Sequence, residues 1–132
     1  MSYVLIVDND QIIRSVLVDE LDQVGIKARE AVNGLDALQK VKEEHPAVIV
    51  LDEHMPQMNG QEFLEILQRE DWFKDVHIIV FTDLHDVDLM NHKILAGVTD
   101  YLNKSTSTPQ TVVQAVQKYL PSTPPTLPTP AP

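Results

Sequence analysis

Cysteine is absent from the 132-residue sequence, which excludes disulfide bonds, thiolate metal sites and a cysteine nucleophile. Aromatic residues are scarce at 5%, and 20 acidic residues outnumber 10 basic ones, so the formal net charge is −10. An acidic surface of this kind disfavours nucleic acid and anionic lipid, so we expect neither as a partner. The apolar run near the N-terminus is too short for a signal peptide or a membrane span, and a cytoplasmic location is expected.

Apolar segments alternate with segments of helical periodicity along the chain. The strand-like segments are 3–7, 26–30, 47–51, 76–81 and 98–102; the helix-like ones run from Gln11 to a stop at Gly25, then 34–45, 60–70, 86–96 and 108–120. This alternation predicts an α/β fold with a doubly wound, five-stranded parallel sheet. We expect one domain over residues 1–120. The proline-rich residues 121–132 are expected to form a disordered or polyproline-like tail.

Polar residues follow the apolar strands directly, and the carboxyl ends of strands form the ligand-binding edge of a doubly wound sheet. They are Asp8, Asn9 and Asp10 after the first strand, Asp52 and Glu53 after the third, Thr82 and Asp83 after the fourth, and Lys104 and Ser105 after the fifth. Clustered carboxylates attract a cation, and Mg²⁺ prefers oxygen ligands. A lysine and a hydroxyl suit the oxygens of a phosphoryl group. The pattern therefore predicts that Asp52 accepts a phosphoryl group to form an acyl phosphate.

Four stretches of the sequence resemble the receiver domain of bacterial two-component response regulators. They are "VLIVDND", "VIVLDEHMPQMNG", "IIVFTD" and "DYLNKS", and the resemblance covers residues 3 to 120. It implies a flavodoxin-like (βα)5 fold with strand order 2-1-3-4-5 and Asp52 as the phosphoacceptor. It also implies a Mg²⁺ site formed by Asp8, Asn9, Asp52 and the backbone carbonyl of His54, and switch or phosphate-contacting roles for Thr82, Tyr101 and Lys104.

The same resemblance implies a place in a phosphorelay rather than an enzyme activity, with no catalytic residue beyond Asp52. The phosphoryl donor would be a sensor histidine kinase or a phosphotransfer protein. The output would be contact with a downstream protein effector, or a phosphorylation-dependent homodimer. Because only proline-rich residues follow position 120, we expect a stand-alone receiver, unless the tail is a linker to an output domain.

The chain departs from the usual receiver pattern at three positions. Asn9 stands where a second acid is usual, so we expect weaker Mg²⁺ binding unless Asp10 substitutes. Ser105 stands where a proline in a cis peptide is usual; a cis bond before serine costs about 3 kcal/mol, so a trans bond is expected. Asp83 replaces a small residue, and its charge would repel a phosphoryl group.

Two alternative interpretations stay open at this point. The stretch "VDND" also matches the opening of haloacid-dehalogenase-type phosphatases, with Asp8 as nucleophile and Asp10 as acid and base, but that hypothesis leaves Asp52 unexplained. The three departures favour a second alternative, a receiver-like interaction module that phosphorylation does not regulate.

Overall fold

A five-stranded parallel sheet forms the centre of the fold in the computed structural model, which describes residues 3–83 and 97–120. The strands are β1 (Val4–Val7), β2 (Ala28–Ala31), β3 (Val48–Leu51), β4 (His77–Thr82) and β5 (Val98–Asn103). Their order is β2-β1-β3-β4-β5, which confirms the predicted doubly wound topology. The helix predicted at 86–96 and the tail predicted at 121–132 lie outside the described residues.

Helices cover both faces of the sheet. They are α1 (Gln11–Gln23), α2 (Gly34–Glu43), α3 (Gly60–Leu67), a 3-10 helix (Asp71–Asp75) and the C-terminal helix (Pro109–Tyr119). Strand residues alternate between two cores, so that Leu5 and Val7 pack with α2 and α3, whereas Val4 and Ile6 pack with α1 and the C-terminal helix. This two-sided burial explains why the strands are continuous apolar runs.

Local sequence signals set the ends of two helices, and the stop predicted at Gly25 is confirmed. Gly25 has a φ of 79°, and the N–H groups of Gly25 and Ile26 donate to the carbonyls of Asp22 and Leu21, which ends α1 in a Schellman motif. Thr108 is the N-cap of the C-terminal helix, with proline at its first turn.

Three predicted boundaries were wrong: the helix predicted over 34–45 ends at Glu43, and two others differ because tertiary packing overrides the local pattern. The helix predicted over 60–70 ends at Leu67, and a separate 3-10 helix follows, in which Phe73 enters the core. The strand predicted over 26–30 begins two residues later, because Ile26 is buried beside the end of α1 and Ala28 is the register partner of Val4.

Candidate functional site

Two buried carboxylates lie side by side at the carboxyl edge of the sheet. Val7 and Leu51 are register partners that end β1 and β3, so the next residues, Asp8 and Asp52, emerge together. The N–H of Asp52 donates to the carbonyl of Val7 at 2.9 Å, which extends the ladder by one bond. Asp8 is 3% exposed and Asp52 is 6% exposed, so both carboxylates are largely removed from water.

Lys104 joins the two carboxylates. Its Nζ lies 2.8 Å from Oδ2 of Asp8 and 3.2 Å from Oδ2 of Asp52, and its side chain is 12% exposed. Burial raises the pKa of the Asp8 carboxyl, and Asp52 adds to the rise, against the hydrogen bonds from Lys104 and from the Asp10 N–H. Burial alone would lower the pKa of Lys104, but the hydrogen bonds and charges of the two acids raise it. Lys104 is therefore an ammonium at neutral pH.

The remaining oxygens of the pair are oriented by backbone N–H groups. Oδ1 of Asp8 accepts from the Asp10 N–H at 2.8 Å, and Oδ1 of Asp52 accepts from the His54 N–H at 3.3 Å. Within residues 3–83 and 97–120, no cluster contains three or more His, Cys, Asp or Glu side chains able to hold a metal. Two buried carboxylates supplemented by neutral oxygens nevertheless fit Mg²⁺, which takes one or two carboxylates in most protein sites.

Asp10 caps the first helix. It is exposed, and its Oδ1 accepts from the N–H groups of Ile12 and Ile13 at 2.9 and 3.4 Å, as the N-cap of α1. Asn9 is also exposed, and His54 lies two residues beyond Asp52, with its N–H on the Asp52 carboxylate. The structure thus places the predicted ligand residues at one edge, with Asp8 and Asp52 as the only two in direct contact with Lys104 among the described residues.

The hydroxyls of Thr82 and Tyr101 are buried and have no hydrogen-bond partner in the part of the chain that the structure describes. Thr82 ends β4 and is fully buried. Tyr101 is the register partner of Val80 and packs on the core that contains Leu51. Burial raises the pKa of Tyr101 to about 12, and the charge of Glu53 adds to this effect. Each unpaired hydroxyl is therefore available to a new acceptor or donor.

The loop after β5 holds Lys104 by main-chain bonds. Its N–H donates to the carbonyl of Thr82 at 2.8 Å. No cis peptide occurs in the described ranges, so the bond between Lys104 and Ser105 is trans, as predicted. Asp83 is exposed, at the end of the first described range.

Two residues of the site, Arg14 and Asn103, were not found from the sequence, and the structure adds the partners of Glu53, which was predicted at this edge. Arg14 is buried on α1, and its guanidinium donates to the carbonyl of Asp8 at 2.7 Å and to Glu30 at 2.9 Å. Glu53 is buried, and its Oε1 accepts from the Gln61 N–H at 2.7 Å. The Oδ1 atom of Asn103 accepts from the Ser105 N–H in the loop that follows β5. The sequence signal for Arg14 was available, because it lies on the inward stripe of α1 with Leu17 and Leu21.

Gly60 allows α3 to begin directly against the end of β3. A Cβ at Gly60 would lie 2.7 Å from the carbonyl oxygen of Asp52 and 3.1 Å from Cα of Glu53, both backbone atoms that cannot move aside cheaply. The glycine therefore fixes how closely α3 approaches the phosphoacceptor candidate.

The model of the response regulator receiver domain matches residues 4–117 of the chain. The chain belongs to this family. It is 34% identical to the chemotaxis protein CheY of Thermotoga maritima over 87% of this chain and 94% of that protein. It is 35% identical to the probable transcriptional regulator ycf27 of Porphyridium aerugineum over 76% of this chain, but spans only 41% of that relative.

Among solved structures, the receiver fold is matched by the Vibrio cholerae chemotaxis protein CheY4. The TM-score is 0.80 at 28% identity, and the match covers 90% of this chain and 98% of that one. Receiver membership removes the basis for the phosphatase hypothesis, and Asp10 caps a helix instead of facing Asp8 as an acid and base. In the described part of the chain, no helix is both long and apolar enough to cross a membrane.

Proposed function

We propose that this receiver accepts a phosphoryl group on Asp52 from a phosphohistidine of a sensor histidine kinase or a phosphotransfer protein. The observation that carries the proposal is the buried pair of Asp8 and Asp52 joined by the Lys104 ammonium. Two buried carboxylates that share a single ammonium keep a negative charge without a partner charge, which favours a site that takes a charged ligand.

In the proposed transfer, a carboxylate oxygen of Asp52 forms a bond to phosphorus while the bond from phosphorus to the donor nitrogen breaks. The electron pair of that bond leaves with the nitrogen, which takes up a proton. Lys104 offers an ammonium to the phosphoryl oxygens, and the unpaired Thr82 hydroxyl offers a further donor. The chain acts here as a phosphoacceptor and not as an enzyme with turnover.

Asp8, Asp52, Asn9 and the carbonyl of His54 are the residues that would hold Mg²⁺. When bound, the ion supplies positive charge against the negative charge of the phosphoryl oxygens. The Asp8 carboxylate is kept in place by the hydrogen bond from the Asp10 N–H. The Arg14 guanidinium donates to the Asp8 carbonyl and so holds the backbone of Asp8.

The output we propose is contact with a protein effector or a phosphorylation-dependent homodimer, not binding of nucleic acid or membrane. An acidic chain with a net charge of −10 is repelled by both polyanions. The alternative of an interaction module without phosphorylation is favoured by the departures at Asn9, Ser105 and Asp83, of which Asn9 leaves the site with one carboxylate fewer than the usual receiver pattern.

The proposal is tested by phosphorylation with acetyl phosphate and Mg²⁺, followed on a phosphate-affinity gel. Wild type is expected to shift, and Asp52→Asn is expected to abolish the shift. Asp83→Asn is the matched control, because Asp83 is an exposed acid that follows the neighbouring strand, and it should leave the shift in place. An equal shift in wild type and Asp52→Asn contradicts the proposal, and a complete lack of shift in wild type favours the unphosphorylated module.

A further inference from the structure

The side chain of Asn103, the residue before Lys104, closes the loop at residues 103–107, which is the lysine loop. Asn103 ends β5 as the register partner of Thr82. Its Oδ1 accepts from the N–H of Ser105 at 2.7 Å, and its carbonyl accepts from the N–H groups of Thr106 and Ser107 at 3.1 and 2.9 Å. Lys104 therefore lies inside a turn whose three hydrogen bonds are all accepted by Asn103.

This turn fixes the point from which the lysine side chain starts. A lysine has a flexible four-carbon side chain. Its ammonium therefore occupies a given position for a large fraction of the time only when its backbone is fixed. The Lys104 backbone is fixed from two sides, by its own N–H on the Thr82 carbonyl at 2.8 Å and by the Asn103 to Ser105 bond around it. From there Nζ reaches both Asp8 and Asp52.

Asn103 and Ser105 act as a pair in this arrangement. Residue 105 must supply an N–H, which a proline lacks, and residue 103 must supply a short side-chain acceptor, as in an Asx turn. The chain has a serine at 105 and an asparagine at 103, and the Ser105 side chain itself is exposed. The serine that departs from the receiver pattern thereby has a structural explanation, because its backbone N–H replaces a rigid proline as the constraint on the loop.

We propose that Asn103 is a positioning residue, whose amide oxygen sets the lysine loop so that the Lys104 ammonium spans Asp8 and Asp52. The part of this inference that concerns phosphorylation rests on the proposed function of Asp52. The part that concerns the position of Lys104 does not, and the experiment measures the two separately.

The first measurement is the reactivity of Lys104 toward a water-soluble N-hydroxysuccinimide acetate, quantified by mass spectrometry residue by residue. Lys104 is ion-paired and 12% exposed, so wild type should be acetylated there slowly. Asn103→Leu removes the acceptor at similar size and is expected to raise Lys104 acetylation at least about threefold, as the loss of one hydrogen bond allows. The exposed Lys42 serves as an internal control and should not change.

Two variants serve as matched controls. Asn103→Asp keeps an oxygen acceptor at the same place, and Ser105→Ala keeps the N–H while it removes the exposed hydroxyl. Both should leave Lys104 acetylation within about twofold of wild type, because neither loses the hydrogen bond. If Lys104 acetylation is the same in Asn103→Leu and wild type, or if Ser105→Ala raises it as much as Asn103→Leu does, the inference is overturned.

The second measurement is the rate of acetyl phosphate labelling in a double-mutant cycle with Lys104→Ala. Asn103→Leu should slow labelling by about three- to tenfold in the wild-type background and add nothing in the Lys104→Ala background. An equal slowing in both backgrounds means that Asn103 acts by another route and overturns the inference. If wild type is not labelled at all, the proposed function fails. The acetylation measurement still tests whether Asn103 positions the Lys104 ammonium.

Discussion

The ammonium of Lys104 donates to Oδ2 of Asp8 at 2.8 Å, although 96 positions separate the two residues in the sequence. The parallel sheet brings them together, because β1 and β5 both end at its carboxyl edge. In the strand order, β3, which leads into Asp52, lies between β1 and β5. The two acids and one ammonium leave a net charge of −1 in a largely buried site. A divalent cation would balance that residual charge together with the further negative charge that a phosphoryl group adds.

Asn9→Asp is expected to tighten Mg²⁺ binding. The substitution adds one carboxylate beside Asp8, and we expect a gain of about 1 kcal/mol, a few-fold to tenfold in affinity. Isothermal calorimetry with MgCl₂ measures it. Asp10→Asn is the companion variant: because Asp10 caps α1, it should leave Mg²⁺ affinity in place. Unchanged affinity in Asn9→Asp together with weaker affinity in Asp10→Asn would show that Asp10 is the ligand after all.

Tyr101→Phe is expected to stabilise the protein. The substitution removes a buried hydroxyl that has no partner in the described part of the chain, and we expect a gain of about 1 kcal/mol in the free energy of unfolding. Tyr3→Phe is the opposite control, because the Tyr3 hydroxyl donates to the Glu44 carbonyl at 2.6 Å and its loss should destabilise the protein. Urea denaturation measures both variants. A Tyr101→Phe protein less stable than wild type means that the hydroxyl has a partner in solution.

Alkaline pH should weaken wild type more than Tyr101→Phe. The folded pKa of Tyr101 is about 12, above the ordinary value of about 10, because burial disfavours the phenolate. A raised folded pKa means that the stabilisation is fully present below about pH 10 and is lost as the pH rises towards about 12. The difference in denaturation midpoint between wild type and Tyr101→Phe, measured from pH 8 to 11.5, should therefore grow above pH 10. A constant difference would contradict the assignment of this shift to Tyr101.

Phosphorylation is expected to change the structure away from the site. A phosphoryl group on Asp52 offers acceptors to the unpaired Thr82 hydroxyl, and movement of Thr82 would open space into which Tyr101 turns. Such a change biases a pre-existing equilibrium between two states. Amide NMR signals within residues 86–120 should then shift on addition of a beryllofluoride mimic, far more than those of α1.

Thr82→Ala separates this switch from phosphorylation itself. The variant keeps Asp52, Asp8 and Lys104, so it should still be phosphorylated, but the distant shifts should shrink because the hydroxyl that moves is gone. Wild-type shifts confined to the residues beside Asp52 would show that the switch is absent, and the chain would then serve as a relay or a static docking module.

The sheet and the location of the site could be predicted from the sequence, because apolar runs and the polar residues after them are local signals. The turn at residues 68–75 could not, since the burial of Phe73 depends on packing that no local pattern encodes. The burial of Arg14 could have been predicted from its place on the inward stripe of α1, but the partners of Arg14 and Asn103 could not, for a related reason. A buried guanidinium and a side chain that accepts from a residue two positions on are defined by their partners, and the partners become visible only in three dimensions.

The identity of the residue that carries the phosphoryl group tests the role of Asp52 most directly. Incubation with acetyl phosphate and Mg²⁺, reduction with borohydride and peptide mass spectrometry convert an aspartyl phosphate to homoserine at the modified position. We expect homoserine at position 52 alone, and none in Asp52→Asn. Homoserine at position 8, or none anywhere in the folded wild-type protein, would contradict the central claim that Asp52 is the phosphoacceptor.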